Sequence, residues 1–487
     1  MLKKLKLVGT RLAWEDLNII GKWPNLEVLK LKPDACRGTE WYQIEATNDH
    51  FPAPKHLVIR HSLHLQEIPI EFADIYSLQL IELQNCSAKP VASARRVQED
   101  QESLGSKAGN VRLNTSDVMN GVLEFVDHTS NNTVNDGLGP EWISSEIRTS
   151  PLHFGIFRED SEIPEKKLIR SWMAVGFLKL ENDLQGEAEK YLQELVDRCL
   201  VLIFQKSLDG TKVRSCKSLF ISNYSKVLDL SHVRIDSFPV QILNLIWLRY
   251  LALFIYVNLK IPREICRLWN LRTFIVKGIR LSVITFPEEI WGLMQLRHFK
   301  LSRFYLPDCP SGSVDKGRHL DFSNIQTISY LSQRCCTKEV IMGIQNVKEL
   351  GISGGDEIDS NGPLNNLVHL QQLETLSFIF CLKILSASAK AFPATLKKLK
   401  LERTLISWSY LDIIAELPNL KVLKLMAHAC LGDEWHPNVQ GFTRLKILLI
   451  EDNFLKHWKA TDENFLVLEH LVLKKCHNLK EIPIEFA

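Results

Sequence analysis

A block of sequence occurs twice in this 487-residue chain, and the self-similarity constrains the fold more than any other feature. The string Leu-Lys-Lys-Leu-Lys-Leu begins at Leu2 and again at Leu396. Four further segments recur in the same order in both copies. Three are short: Pro24-Asn25-Leu26 and Pro418-Asn419-Leu420, Ala35-Cys36 and Ala429-Cys430, and Glu40-Trp41 and Glu434-Trp435. The fourth is Glu-Ile-Pro-Ile-Glu-Phe-Ala, which ends at Ala73 in the first copy and at Ala487 in the second. The first copy is shorter by about 20 residues, the length of one repeat unit. The chain is expected to begin and end inside the same kind of array.

A finer period lies inside each block, where the pattern L-x-x-L-x-L recurs at intervals of roughly 22 to 29 residues. Clear copies start at Leu2, Leu26, Leu248, Leu296, Leu373, Leu396, Leu420, Leu445 and Leu468. This interval indicates leucine-rich repeats, in which the x-L-x stretch is a short strand and the leucines share one core. Proline-marked turns on the convex side are predicted at Phe238-Pro239, Ile261-Pro262, Phe286-Pro287 and Ile482-Pro483. The predicted fold class is α/β, a leucine-rich-repeat solenoid in two arrays with an intervening small winged-helix module.

Composition excludes several function classes. The formal charge of +2 and the pI near 7.9 give no global attraction to nucleic acid or to an anionic membrane. Eleven cysteines without a C-x-x-C pair favour core thiols in a reducing compartment over disulfides or zinc sites. Cys476, at the position where such repeats carry an asparagine or cysteine, is expected to pack and to hydrogen bond weakly. No apolar signal segment or spanning run is visible, so a cytoplasmic location is expected, with peripheral membrane association left open.

The repeat pattern breaks between the two arrays. Residues 92–105 predict a charged helix that ends at Gly105 and caps the first array, and the polar stretch that follows predicts a linker. The predicted domains are therefore a leucine-rich-repeat fragment at 1–113, a linker at 114–150, a winged-helix module at 151–218 and a leucine-rich-repeat domain at 219–487.

The third domain is predicted from two helices and a hairpin. Ile163-Pro164-Glu165 starts a helix with proline in its first turn, and a second helix spans Gly186 to Leu200. Val201 to Gln205 and Lys212 to Ser215 then flank a Leu-Asp-Gly-Thr turn. The general role of a winged helix is DNA binding. Candidate phosphate contacts are Lys166, Lys167 and Arg170, but neighbouring carboxylates weaken this footprint, and DNA binding is kept as an alternative.

These residues also carry a family resemblance. The stretches 154–164, Leu168-Ile169-Arg170-x-Trp172-x-Ala174-x-Gly176-Phe177 and Glu187-Ala188-Glu189-x-Tyr191-Leu192-x-Glu194-Leu195 resemble the winged helix of plant nucleotide-binding leucine-rich-repeat resistance proteins. The likeness is to the coiled-coil class of the nightshades related to the late blight resistance proteins, and both arrays are similar to theirs. The resemblance implies intracellular recognition of pathogen effectors or guarded host proteins. It also implies a module that switches from ADP to ATP and triggers defence and hypersensitive cell death.

The sequence departs from that family at the nucleotide switch. No G-x-x-x-x-G-K-[ST] string occurs, and Gly21-Lys22 is followed by Trp23. Where the family has a Met/Val-His-Asp triplet, this chain has Lys217-Ser218-Leu219-Phe220. The paired metal-binding aspartates and the coiled coil are also missing from the sequence. We therefore expect no cofactor, neither ADP, ATP nor a metal, and a product of two joined tandem genes.

No catalytic residues are expected. Gly351-Ile352-Ser353-Gly354-Gly355 fits the G-x-S-x-G spacing of a nucleophile elbow, but it falls at the end of a repeat strand rather than between a strand and a helix. No H-E-x-x-H string exists. The prediction is a protein that is not an enzyme and that has no small-molecule substrate.

One feature of the arrays does indicate a binding function. The first variable residue after each leading leucine, here called the x1 residue, should stack on its neighbours about 4.8 Å apart along the concave sheet. From Leu248 onward these residues are Arg249, Arg272, Arg297, Gln326, Lys348, Glu374, Lys397, Lys421, Lys446 and Glu469. Seven of them are predicted to bind a protein partner: Arg249, Arg272, Arg297, Lys348, Lys397, Lys421 and Lys446. A merely solubilising role for this basic column stays open.

The predicted acidic counterpart lies in the winged-helix module, at Glu159, Asp160 and Glu162, with Trp172 as a further contact. The sequence thus predicts a plant disease resistance protein that recognises effectors, guarded host proteins or partner domains of its own family through its repeats. The alternatives are a regulatory or decoy scaffold that does not signal, and a winged-helix DNA binder.

Overall fold

The structure, a computed structural model, describes residues 2–41, 52, 54–103, 112–116, 163–164, 190, 192, 201–206, 213–218, 226–278, 283–310, 321–354, 364–381, 388–438, 441–480 and 482–483. The chain divides into two compact units. Unit 1 comprises residues 1–124 and 348–487, and unit 2 comprises residues 125–347. The domain boundaries predicted at 113, 150 and 218 follow composition and remain predictions.

The first stretch of unit 1 consists of short strands separated by helical turns. Its strands are β1 (Lys4–Val8), β2 (Leu12–Ala13), β3 (Val28–Leu31), β4 (Cys36–Arg37), β5 (His56–Arg60), β6 (Leu80–Gln84) and β7 (Arg112–Ser116). Its helices are α1 (Asp16–Gly21), a 3-10 helix at Ile70–Asp74 and α2 (Ala88–Ser103).

Unit 2 has the same alternation in its repeat region. Its strands are β8 (Ile163–Pro164), β9 (Val201–Lys206), β10 (Val213–Ser218), β11 (Val227–Ile235), β12 (Tyr250–Ile255), β13 (Leu259–Lys260), β14 (Thr273–Gly278), β15 (Ile284–Thr285), β16 (His298–Tyr305) and β17 (Thr327–Ser332). Its helices include α3 (Lys338–Gly343) and 3-10 helices at Val240–Asn244, Arg263–Leu268, Glu288–Gly292 and Gln333–Cys335.

The second stretch of unit 1 completes the chain. Its strands are β18 (Glu349–Ser353), β19 (Thr375–Ile379), β20 (Lys398–Glu402), β21 (Ile406–Ser407), β22 (Val422–Met426), β23 (Cys430–Leu431), β24 (Glu434–Trp435), β25 (Ile447–Glu451), β26 (His457–Trp458) and β27 (His470–Lys474). Its helices include α4 (Tyr410–Ala415) and 3-10 helices at Leu364–His369, Ala389–Ala391 and Asp462–Phe465.

The leucine-rich repeats predicted from the sequence are confirmed in both units. Most repeat strands alternate buried leucines with outward residues, as in β1, where Leu5 and Leu7 are fully buried and Lys4 is exposed. The main strands of unit 2 pair in parallel in the order β11-β12-β14-β16-β17. The predicted proline turns at Pro239, Pro262 and Pro287 each precede a 3-10 helix. Proline suits this position because its fixed φ is compatible with the turn and its missing N–H has no helical partner to lose.

The two halves of unit 1 form one parallel sheet, in which β27 pairs with β1. The order is β18-β19-β20-β22-β25-β27-β1-β3-β5-β6-β7. At the joint between β27 and β1, Leu471 and Leu473 lie opposite Leu5 and Leu7. All four leucines are 0% exposed, so the repeat core runs through the joint without interruption. The sequence predicted the arrays but not this order.

The duplicated blocks fold alike. Trp14 stacks on Trp41 with centroids 5.1 Å apart, and their counterparts Trp408 and Trp435 stack at 5.2 Å. The indole N–H groups of Trp14 and Trp408 donate to the carbonyls of Gly38 and Gly432. The structure also shows which repeat unit of the second block is absent from the shorter first block. Strands β1, β3 and β5 correspond to β20, β22 and β27, so β25 has no counterpart.

Buried polar side chains connect successive repeats in a ladder. The Cys476 thiol lies 3.5 Å from the carbonyl oxygens of Ile450 and Lys474, which agrees with the packing and weak hydrogen bonding expected for it. Asn453 occupies the same position one repeat earlier and makes stronger bonds. Its amide donates to two carbonyls, at 3.2 and 2.8 Å, and its oxygen accepts from the N–H of Cys430 at 3.1 Å.

Helix α2 lies where a charged helix was predicted, but it does not end the array. Strand β7 follows it and pairs in parallel with β6. Ser93 of the helix accepts a hydrogen bond from the Ile68 N–H at 2.8 Å, which fixes α2 against the preceding turn. The helix is thus the convex segment of a repeat, and the sequence missed the strand because Arg-Leu-Asn-Thr-Ser lacks a second leucine.

The described part of residues 151–218 is a three-stranded antiparallel sheet in the order β8-β10-β9. The hairpin β9–β10 confirms the predicted wing. Ile163 and Pro164, predicted to start a helix, instead pair with Cys216 and Ser215 of β10. Leu192 is helical and 1% exposed, in agreement with the predicted buried face of the second helix. The other predicted residues of this module's helices lie outside the described residues.

Replacing Asn453 by alanine should destabilise unit 1. The change removes the acceptor of the buried Cys430 N–H and one donor from each of the Leu425 and Glu451 carbonyls, so we expect the free energy of unfolding to fall by about 1–3 kcal/mol. Urea denaturation followed by circular dichroism measures the change. The control is Asn478→Ala, because Asn478 is exposed. Equal destabilisation by both variants would contradict a structural role for the ladder.

The Cys476 thiol should be unreactive in the folded protein. Burial raises its pKa to about 12, because the thiolate would have to form inside the core. Since the thiolate is the nucleophile, iodoacetamide at pH 8 should label half-buried Cys266 first and Cys476 only after unfolding in urea. Mass spectrometry of the alkylated peptides measures both sites. If Cys476 and Cys266 were labelled at the same rate in the native protein, the Cys476 thiol could not be buried in the core.

Candidate functional site

The x1 residues form a continuous backbone row in each unit. In unit 2 the N–H of Arg272 donates to the carbonyl of Arg249 at 2.8 Å, and the N–H of Arg297 donates to that of Arg272 at the same distance. In unit 1 the same bond links Glu374 to Lys348, Lys397 to Glu374, Lys421 to Lys397, Lys446 to Lys421 and Glu469 to Lys446. Across the joint, Lys3 donates to Glu469. Neighbouring side chains therefore start about 4.8 Å apart.

In unit 2 the row is basic from Lys226 to Arg297, and Gln326 follows it. Arg249, Arg272 and Arg297, here called the arginine row, are all exposed, and Lys226 precedes them in the same ladder. Within the described residues, none of the three has a carboxylate within the 4.0 Å limit of an ion pair. Three adjacent like charges repel one another.

In unit 1 the row contains glutamates as well as lysines and is partly neutralised. Lys397 pairs with Glu374 at 2.8 Å, Lys446 with Glu469 at 2.7 Å and Lys55 with Glu27 at 3.6 Å. The hydrogen bonds from the lysine ammonium groups lower the pKa of Glu374 and of Glu469. The basic column predicted from the sequence is therefore interrupted at Lys397 and Lys446. Lys348 and Lys421 have no such pair among the described residues.

Exposed aromatic side chains accompany the arginine row. Trp247 is 46% and Trp269 51% exposed, with centroids 6.5 Å apart, and they precede Arg249 and Arg272 in the chain. Met294, which precedes Arg297, is 38% exposed. Tryptophan and arginine dominate the binding energy of many interfaces. Our sequence analysis missed this strip. The sequence did offer one signal of exposure at Trp247. Later repeats have Asn270, Asn324 and Asn346 at the corresponding position, and the amides of these asparagines donate to carbonyls of the preceding repeat.

The predicted acidic counterpart is not described. Glu159, Asp160, Glu162 and Trp172 all lie outside the described residues. Their pairing with the arginine row therefore remains a prediction.

The G-x-S-x-G match has a packing explanation. Ser353 is 6% exposed at the end of β18, and its hydroxyl donates to the carbonyl of Gly354. A Cβ on Gly354 would lie 2.4 Å from the carbonyl oxygen of Phe380, so the close approach of the next repeat requires glycine. No described histidine bonds to this serine.

The described residues show neither a metal site nor a membrane-spanning helix. None of them forms a group of three or more histidine, cysteine, aspartate or glutamate side chains able to hold a metal ion. None of their helices is long and apolar enough to cross a membrane. A depression of 280 Å³ lies beside β3 and β5, and the charged or titratable residues in its wall include Arg11, Lys32, Asp34, Arg37 and His61. Basic residues and a carboxylate both line it, so its wall is not uniformly positive.

Comparison with known proteins gives two kinds of match. Residues 156–219 match the family of the disease resistance protein winged helix domain. The late blight resistance protein homologue R1B-16 of Solanum demissum is 28% identical over 433 residues, covering 69% of this chain and 32% of that protein. The homologue R1B-13 of the same species is 32% identical over 275 residues, covering 53% and 22%. This chain spans about a third or less of the length of these relatives.

Among solved structures, the leucine-rich-repeat protein LIC12759 of Leptospira interrogans is similar in fold. It is 13% identical, covers 88% of this chain and 91% of its own, and has a TM-score of 0.29.

The repeats, the winged-helix sheet and the sequence matches thus agree. The homologues of this chain are late blight resistance proteins of the nucleotide-binding leucine-rich-repeat class, and residues 156–219 match the winged helix of disease resistance proteins.

Proposed function

We propose that this chain serves plant disease resistance as a protein-binding segment, which docks an acidic partner surface on the arginine row and the adjacent tryptophans of unit 2. The observation that carries the proposal is that Arg249, Arg272 and Arg297 have no carboxylate partner among the described residues and follow exposed Trp247 and Trp269 in their repeats. The kinship with resistance proteins supplies the biological setting.

The physical reason is that the row is unfavourable by itself. Adjacent guanidinium groups repel, and a partner carboxylate relieves that repulsion while forming bidentate hydrogen bonds. The tryptophans add apolar area that a purely solubilising surface would not need. The partner is a pathogen effector, a guarded host protein or a domain of a related receptor. Within the chain, Glu159, Asp160 and Glu162 of the winged-helix module, with Trp172, are the acidic candidate.

Neutralising the arginine row should weaken capture of an acidic partner. We expect the variant Arg249→Gln, Arg272→Gln and Arg297→Gln to bind separately expressed residues 151–218 at least tenfold more weakly, a loss of about 1.4 kcal/mol. Titration by fluorescence anisotropy at low and physiological salt measures this, and the loss should shrink as salt rises.

The matched control removes the same net charge elsewhere. Lys55→Gln, Lys397→Gln and Lys446→Gln together remove three lysines that carboxylates already neutralise. This control should bind within about twofold of the wild type, below the roughly 1.4 kcal/mol of a tenfold change. An equal loss of affinity in both variants would show that net charge, rather than the arginine row, drives binding. No loss of affinity in either variant would show that the arginine row is only a solubilising surface.

We also propose that the chain catalyses no reaction, acts in the cytoplasm and binds no nucleotide by itself. The sequence has no phosphate-binding loop, so the triphosphate would find neither a cradle of backbone N–H groups nor a neutralising lysine.

Purified chain should therefore give no saturable heat when titrated with ADP or ATP at micromolar concentration, with or without Mg²⁺. Isothermal titration calorimetry makes the measurement, and an intact receptor of the same class is the positive control. A saturable site with defined stoichiometry in this chain would refute the proposal.

A further inference from the structure

The internal duplication repeats a cluster of lysines as well as the leucine core. The first lysine cluster is Lys4, Lys6 and Lys30, on β1 and β3, and the second is Lys398, Lys400 and Lys424, on β20 and β22. Corresponding lysines stand at the same position of each block. The buried residues between them, such as Leu5 and Leu399, are 0% exposed. Strand alternation therefore turns all six lysines to the outer face of the sheet.

The joint between β27 and β1 brings both clusters onto one surface. From β20 the sheet continues through β22, β25 and β27 to β1, with every pair parallel and in register. At about 4.8 Å per strand, the two clusters are about 19 Å apart along the sheet. Without the joint they would belong to separate arrays with no fixed spacing.

Most of this positive charge is not compensated. The carboxylates on the strands from β20 to β6 are Glu402, Glu451 and Glu82, and each already pairs with a basic residue, Lys400 at 2.8 Å, Lys474 at 2.5 Å and Arg60 at 2.6 Å. Among the described residues, the five other cluster lysines have no ion pair. Partial burial, and then the charges of Lys32, Lys474 and Lys30, lower the pKa of Lys6. Partial burial and the charges of Lys398 and Lys400 do the same to Lys424.

The clusters are similar but not equal. The residue after Lys400 on its face is Glu402, whereas the corresponding residue after Lys6 is Val8. Similarly, Lys32 follows Lys30, whereas Met426 follows Lys424. The first cluster therefore carries more net positive charge than the second.

An apolar strip separates the clusters. Ile447 and Leu449 of β25 and Val472 of β27 are half-buried and occupy three of the six outward positions between the clusters. The other three positions hold His470 and the paired Glu451 and Lys474. A ligand that spans both clusters must cross this strip, so apolar atoms in its middle would be buried favourably.

We propose that the two lysine clusters and the strip between them form one divalent site for an acidic protein segment with two groups of carboxylates about 19 Å apart and apolar residues between them. This inference rests on the proposed protein-binding function and assigns a second surface to it, on unit 1. In an extended peptide at about 3.3 Å per residue, the centres of the two acidic groups are about six residues apart. A nucleic acid fits less well, because its evenly spaced phosphates would place charge over the apolar strip.

Two modest sites joined by one ligand give high affinity, because the second contact forms at high effective concentration. If the site is divalent, loss of either cluster should remove most of the affinity gained by joining the two contacts. Affinity should also depend on the distance between the acidic groups of the ligand as well as on their charge.

The test uses two peptides of identical composition. The split peptide has three glutamates, Val-Leu-Val and three glutamates, whereas the contiguous peptide has Val-Leu-Val followed by six glutamates. We expect the full chain to bind the split peptide at least tenfold more tightly in fluorescence anisotropy. Lys4→Gln, Lys6→Gln and Lys30→Gln together should abolish that preference, and Lys398→Gln, Lys400→Gln and Lys424→Gln should reduce it by a smaller factor.

Controls separate this site from the proposed docking surface. The arginine-row variant and the variant of paired Lys55, Lys397 and Lys446 should both keep the preference for the split peptide. Thermal unfolding checks that each variant is folded, as expected for lysines outside the core. Equal binding of the two peptides, or equal loss in the paired-lysine variant, would overturn the divalent site and leave the arginine row untouched. Tighter binding of an oligothymidylate of equal charge would instead assign the clusters to polyanions.

Discussion

The parallel strand ladder is the constraint on which the structure depends. A strand at the edge of a sheet exposes N–H and C=O groups and half of a hydrophobic core, so each repeat needs a neighbour. In unit 1 that need is met between the last strand of the chain and the first, where Lys3 and Lys4 donate to the carbonyl of Glu469. The same ladder sets the spacing of every outward side chain, and through it the charge pattern of the surface.

How far the sequence predicted this molecule depends on the kind of interaction. The strands, the proline turns and the wing could be predicted, because leucine spacing, proline and turn chemistry act within a few residues. The pairing of β27 with β1 could not, since any leucine-rich strand could in principle follow any other. The charge pattern predicted helix α2 correctly. The prediction that α2 caps the array was wrong, because β7 follows it and pairs with β6, and the sequence of β7 has only a weak repeat signature.

The surface was harder to predict than the core. The x1 residues were correctly identified as a row, yet their charge balance depends on ion pairs between repeats that are more than 20 residues apart in sequence, such as Lys397 with Glu374. The sequence analysis considered the basic residues alone, so it overestimated the positive charge of this row in unit 1. It also missed the tryptophans that accompany the arginines of unit 2. Pairing, rather than composition, decides which lysines and arginines remain available to a partner.

The joint between β27 and β1 also has a consequence for biosynthesis. Strand β1 lies more than 460 residues before β27 in the chain, since Lys4 pairs with His470, so the edge of β1 that β27 covers stays unpaired until β27 has been synthesised. Contacts between distant segments slow folding, and an unpaired strand edge invites association with other nascent chains. Production of the folded protein should therefore depend on chaperone protection of the β1 edge until β27 emerges from the ribosome.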